Sequence, residues 1–127
     1  MIKAGISNKG ELLVTREHCA SFVGSGGLDV LSTPSVLALI EKVSYESVQP
    51  LLDPGCTTVG TAAELRHLAA SSLGDTVSCA SELAEVDGRR LVFHAGVFCG
   101  DELVSTCVHE RFVVNSERFL AKLNNKK

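Results

Sequence analysis

The chain is 127 residues long, enough for one core and a single domain spanning 1–127. Its 45% hydrophobic and 21% charged content is ordinary for a globular protein, and its longest apolar run, Val36–Ile40, is far too short to cross a membrane. A net charge of −3, with no Trp and one Tyr, leaves neither the basic face nor the stacking platform of a nucleic-acid binder.

The start of the chain lacks the charged, apolar and small-residue succession of a signal peptide. The five cysteines, Cys19, Cys56, Cys79, Cys99 and Cys107, are odd in number and include no Cys-x-x-Cys pair. Free thiols in a reducing cytoplasm are expected, most of them packed as small hydrophobes. His18, His67, His94 and His109 are equally dispersed, so no metal site is expected.

The first elements are weakly marked. Glu11–Thr15 reads as a strand, Thr15 as the cap of a helical turn reaching about Phe22, and Gly24-Ser25-Gly26-Gly27 as a mobile loop. That loop is no phosphate cradle, because Leu28-Asp29 follow it instead of Lys-Ser/Thr. The long helix opens at Thr33-Pro34, with Thr33 as N-cap and Pro34 in the first helical position, and Pro50 closes it near Gln49. Val36, Leu37, Ile40, Val43, Ser44, Ser47 and Val48 share one face, Lys42, Glu46 and Gln49 lie opposite, and Glu41 sits on the shoulder. So wide an apolar face needs a sheet to cover it.

Turn signals at Asp53-Pro54-Gly55, Gly74-Asp75, Asp87-Gly88 and Gly100-Asp101 set off four strand-like stretches: Thr57–Leu68, Thr76–Val86, Arg89–Cys99 and Leu103–Val114. Consecutive strands of this length are expected to pair as an antiparallel meander. A short helix through Phe119, Leu120 and Leu123 ends the chain. A long central helix wrapped by a curved antiparallel sheet is an α+β architecture, and these proportions describe a hot-dog fold.

Several segments then occur in a telling order: Val30-Leu31-Ser32-Thr33-Pro34, Glu41, Thr58-Val59-Gly60-Thr61, Arg66-His67-Leu68, Val86-Asp87-Gly88-Arg89-Arg90-Leu91 and Thr106-Cys107-Val108-His109-Glu110-Arg111. The series resembles hot-dog thioesterases of the fluoroacetyl-CoA thioesterase type from about Leu28 to Lys122. The resemblance implies that Thr33 and Glu41 are the catalytic hydroxyl and carboxylate, and His67 the catalytic histidine. It also implies that Gly60 turns a backbone amide towards the thioester carbonyl, and that Arg111 supports the site or faces CoA. It further implies a homodimer, or a larger oligomer, with the site across the subunit interface. No cofactor is implied beyond the coenzyme A carried by the substrate. Phenylalanines form the lid of the type enzyme where Gly24–Gly27 stand here, which points to a general acyl-CoA thioesterase.

Each site residue also has a plainer reading. Thr33 is explained as a helix cap, and a cap lies at the helix end that stabilises negative charge, so the two roles are compatible. Glu41 is either a boundary carboxylate reaching solvent or the group that attacks the thioester carbonyl or activates water. His67 alternates with Leu65 and is expected on the face of Val59, Ala63 and Leu65, as a core histidine or as a proton shuttle to the leaving thiolate. Gly60 inside a strand marks a bulge or a close backbone approach. His109 is expected to be structural, paired with Glu110 or with a neighbouring strand. Among Arg66, Arg89, Arg90, Arg111 and the basic tail of Lys122, Lys126 and Lys127, only Arg111 is expected to meet the substrate.

Hydrolysis of a short- or medium-chain acyl-CoA is therefore expected. The alternative is a hot-dog module that binds acyl-CoA without turning it over. A hot-dog dehydratase would need a differently placed histidine and acid.

Overall fold

The computed structural model describes residues 2–126. Strand β1 (Ser7–Leu13) leads into a 3-10 turn (Arg16–His18), a short helix α1 (Ala20–Val23) and the long helix α2 (Thr33–Val48). A second 3-10 turn (Gln49–Leu51) carries the chain through Pro50 to β2 (Cys56–His67), β3 (Thr76–Asp87), β4 (Arg90–Cys99), β5 (Glu102–Asn115) and the terminal helix α3 (Ser116–Asn124). The five strands form one antiparallel sheet in the order β1-β3-β4-β5-β2.

The concave face of that sheet holds α2. Val36, Ile40, Val43 and Val48 are completely or almost completely buried, and pack with Val77, Cys79, Val97 and Val104 of the sheet and with Phe93, Leu83 and Leu91 towards the far end. Burying such side chains contributes about 1.5–3 kcal/mol each, which makes this face the main stabilising feature of the domain. Ser44, polar within the apolar stripe, is satisfied by Ser81 Oγ at 2.8 Å. β1 runs so close to α2 that a methyl group on Gly10 would lie 2.8 Å from Val43.

Two expectations are corrected. β3, β4 and β5 form a meander, but β2 pairs with β5 instead of β3. The turn at Gly74-Asp75 is pulled away from β2: Gly74 N donates to Val14 O, and Val30 bridges to Ser72. This ties the β2–β3 connection to the β1 side of the domain, and β1 takes the free edge of β3. Thr33 is not the cap of α2. Ser32 is the N-cap, its Oγ accepting from Ser35 N at 3.2 Å, which shifts Pro34 one position into the helix and leaves the Thr33 hydroxyl uncommitted to the backbone.

The glycine segment after α1 is tethered on both sides. Ala20 and Ser21 amides donate to Val30 and Leu28 carbonyls, Leu31 N to Ser71 O, Ser32 N to His18 O, and Ser21 Oγ bonds Asp29. Gly24, at φ 91°, supplies the left-handed turn that ends α1. No described helix is long and apolar enough to cross a membrane.

Candidate active site

The site is organised by a bulge in β2. Gly60 lies opposite Arg111 of β5, whereas Ala62 lies opposite Glu110, so Thr61 is an extra residue. In a regular strand residues 60 and 67 would face opposite ways. The bulge reverses the alternation, so Thr58 and Gly60 before it and Ala63, Leu65 and His67 after it share the helix-facing side. The expectation that Val59 shares the face of His67 fails for this reason; Gly60 takes its place. Both readings of that glycine hold at once, since it marks a bulge and a close approach.

The bulge is held from both faces. Outside, Thr61 Oγ1 donates to Glu110 Oε1 at 2.7 Å, and Arg90 Nε donates to Glu110 Oε2 at 2.6 Å. Those two hydrogen bonds hold the Glu110 carboxyl below its usual range. Inside, His109 Nδ1 lies 2.9 Å from Ala62 O.

Along α2 the site residues fall into two groups. At the N-terminus Thr33 Oγ1 meets His67 Nδ1 at 2.8 Å, while His67 Nε2 is buried without a hydrogen-bond partner. Eight residues on, roughly 12 Å along the helix axis, Glu41 lies over Gly60. A Cβ on that glycine would stand 2.8 Å from Glu41 Oε2, 3.4 Å from Arg111 Nη1 and 3.4 Å from His109 Cε1. Within the chain the structure thus joins Thr33 with His67, and Glu41 with Gly60 and Arg111; it records no contact between the groups.

Arg111, 7% exposed, is fixed by its neighbours. Nε donates to Thr58 Oγ1 at 2.8 Å and Nη2 to Thr58 O at 3.1 Å. Nη1 lies 3.1 Å from His109 Nε2 and 3.8 Å from Glu41 Oε2, and the guanidinium stacks over Tyr45 with 5.7 Å to the ring centroid. Burial weakens its hold on its proton and Glu41 opposes that effect, but a guanidinium stays charged. The Glu41 side chain is 43% exposed, so it looks onto solvent on one side and onto a buried cation on the other.

His109 follows the second of its two expected pairings: it bonds β2 and not Glu110. The carbonyl of Ala62 only accepts and Arg111 only donates, so the network assigns the proton to Nδ1 and leaves Nε2 bare. Burial lowers the pKa of this histidine, and Arg111 adds to the effect.

Thr58, His109 and Tyr45 were not among the site residues expected from sequence. Thr58 precedes Gly60 by two positions and so shares its face, a signal already available. The contacts of Tyr45 and His109 depend on the bulge and on the strand order. Burial pushes the Cys79 thiol up to about 12 and raises Cys107 as well, so neither of these two competes as a nucleophile. Among the described residues no three His, Cys, Asp or Glu side chains lie together as metal ligands.

A cleft of about 350 Å³ opens beside the Thr33–His67 pair, between Ala20, Ser25, Leu31, Leu68, Ala69 and Ala70. A larger one, about 580 Å³, lies at the other end of α2 near Leu51, Arg89 and Arg118 and contains none of the site residues. Because the Thr33 side chain caps nothing and bonds only His67, Thr33→Val should leave stability within about 0.5 kcal/mol of its parent when both carry His67→Ala, whereas Ser32→Ala in the same background should cost about 1 kcal/mol. Urea unfolding of both variants checks this; equal losses would restore Thr33 as the cap.

The helix-in-sheet architecture and this site define a hot-dog protein of the thioester-hydrolase class. Residues 14–117 match the family of fluoroacetyl-CoA-specific thioesterases, and the chain belongs to that family. A fluoroacetyl-CoA thioesterase of Streptantibioticus cattleyicolor is 35% identical over 98 residues, covering 77% of this chain and 70% of that one. The crystal structure of a fluoroacetyl-CoA-specific thioesterase superposes with a TM-score of 0.92 at 27% identity, covering 100% of this chain and 98% of that one. A mutant of a fluoroacetyl-CoA thioesterase in complex with acetyl-CoA gives 0.92 at 26% identity, with 99% of each chain covered. A thioesterase superfamily member from Thermus thermophilus has the same fold, with a TM-score of 0.90 at 21% identity over 98% of this chain and 93% of the other.

Proposed function

We propose that this protein hydrolyses a short- or medium-chain acyl-CoA thioester to the free acid and CoA, with Glu41, Thr33 and His67 as its reacting groups. The observation that carries the reading is the Glu41 carboxylate, lodged in space that only a glycine at position 60 leaves open and flanked by the buried Arg111 cation. A carboxylate so placed can add to the thioester carbonyl carbon or take a proton from an attacking water. Gly60 provides the amide for the developing oxyanion. The carbon–sulfur bond then breaks, and His67, bonded through Nδ1 to Thr33, delivers a proton to the departing thiolate; where Glu41 itself made the attack, water then hydrolyses the Glu41–acyl anhydride to the free acid and restores the carboxylate. Coenzyme A enters only as part of the substrate, and no metal or other cofactor takes part.

The working form is a homodimer. In support, β2 is a twelve-residue edge strand whose residues Gly60 to Glu64 are all exposed, and such an edge is a template for pairing. Antiparallel pairing of two copies along the stretch from Gly60 to His67 brings His67 towards the partner's Gly60. Each Thr33–His67 pair then completes a Glu41–Arg111 group across the interface. Five free thiols fit a cytoplasmic location. Neither nucleic acid nor membrane is a partner.

A panel of acyl-CoAs assayed for thiol release tests the activity. Stoichiometric release of thiol and acid from at least one member is expected. Tight binding without thiol release would instead favour the non-catalytic acyl-CoA-binding module.

A further inference from the structure

His109 has no part in the proposed chemistry, yet it is 1% exposed, carries a titratable ring and touches both the bulge and the guanidinium. Buried imidazoles are costly unless both nitrogens are matched. Here Nδ1–H is spent on the Ala62 carbonyl, so Nε2 must act as an acceptor, and the donor it meets is Arg111 Nη1. The Phe93 ring packs nearby, with centroids 6.2 Å apart. The charged groups around the imidazole are Arg111 and Glu110 of its own strand and Glu41 of α2.

Arg111 is therefore anchored at all three of its nitrogens to groups other than Glu41: Nε and Nη2 to Thr58, and Nη1 to His109. Its distance of 3.8 Å from the Glu41 carboxylate is too long for a hydrogen bond. Glu41 consequently feels the cation's field while keeping its lone pairs free. Without the acceptor at His109 Nε2, no hydrogen bond would restrain Nη1, and Glu41 Oε2 stands only 3.8 Å from it. A charge-assisted bond formed there would tie up the oxygen that has to react.

We infer that His109 is a positioning residue: through its bare Nε2 it restrains Arg111 beside Glu41 without letting the ion pair close. The inference rests on Glu41 being the working carboxylate. Only a neutral acceptor meets the requirement, because an imidazolium would repel the guanidinium and offer it nothing to bond. The tether to Ala62, one residue beyond the bulge, holds the ring in the required tautomer.

Two substitutions separate the two arms of the imidazole. Glutamine can offer its carboxamide oxygen where Nε2 stood, whereas the shorter asparagine reaches only the Ala62 carbonyl. In thiol-release assays His109→Asn should lose about tenfold or more in kcat with little change in KM, and His109→Gln should stay within about threefold of the parent. His109→Asn should add no further loss to Arg111→Met, because it acts through that residue. Parental kcat in His109→Asn, equal impairment of both variants, or additive losses would each overturn the proposal. Glu41→Gln, assayed alongside, separates the two levels of the argument. Parental activity there removes the reading of the site itself; an inactive Glu41→Gln beside an unimpaired His109→Asn removes only the positioning role. The parent protein gives an independent check by nitrogen NMR, where His109 should be the neutral Nδ1–H tautomer at neutral pH. The other tautomer, or an imidazolium, would overturn the proposal without any substitution.

Discussion

Glu41→Gln should lower kcat for acyl-CoA hydrolysis by roughly 10²- to 10⁴-fold, the range expected when a positioned carboxylate is lost. Glutamine keeps the size and shape of the side chain but neither accepts a proton at neutral pH nor attacks a carbonyl. The cost to the fold should be small. The carboxylate is 43% exposed and 3.8 Å from a buried cation whose nitrogens are already bonded to Thr58 and His109, so its loss should cost only about 1 kcal/mol. A melting temperature within about 5 °C of the parent, together with the loss of turnover, would assign the effect to chemistry. A variant that keeps parental kcat would remove Glu41 from the mechanism.

Gly60→Ala is expected to show the second large effect, again without unfolding. Gly60 is not in the left-handed region, so alanine meets no backbone strain there. Its methyl group would arrive 2.8 Å from Glu41 Oε2, the free end of a flexible side chain, which moves aside. Stability should stay within about 1 kcal/mol, because the smaller entropy of the unfolded alanine chain offsets local crowding. Activity depends on where the displaced carboxylate comes to rest, and a shift of about 1 Å in a reacting group can cost roughly 10²-fold. Measuring kcat/KM and urea stability on the same preparation tests both halves. Undiminished kcat/KM would mean that the pocket over Gly60 is not where the carboxylate works.

Much of the fold was legible because its signals are local. The apolar stripe from Val36 to Val48, the proline near each end of α2 and the turn residues at Gly88 and Gly100 each depend on their immediate neighbours. The pairing of β2 with β5 was not legible, since it joins residues such as Cys56 and Asn115 that are far apart in the chain. The cap was misassigned by one position because Ser32 and Thr33 are adjacent hydroxyls before the same proline, and only the bond to Ser35 N separates them. At the site, residue types were legible and their grouping was not. Thr33, Glu41 and His67 stand out as polar groups in apolar segments, but the 2.8 Å contact of Thr33 with His67 and the placing of Glu41 over Gly60 beside Arg111 both depend on the faces of β2. A single extra residue sets those faces, and glycine at position 60 only hints at it. His109 looked structural and is built into the sheet as expected; its link to Arg111 appears only once both share the concave face.

That extra residue makes the length of β2 a functional quantity in its own right. Deleting Thr61 would remove the bulge and leave a regular ladder in which Ala62 still lies opposite Glu110 and His67 opposite Ser105, so the imidazole keeps its side of the sheet while the bend beside Gly60 and the Thr61–Glu110 bond are lost. Substitutions in this strand change one contact at a time, whereas a one-residue insertion after Thr61 shifts everything downstream of it against β5 unless a second bulge takes it up. Drift by point replacement is therefore open to this segment, the loss of one residue is absorbed at the bulge, and the gain of one is closed unless a second length change or a second bulge restores the pairing of His67.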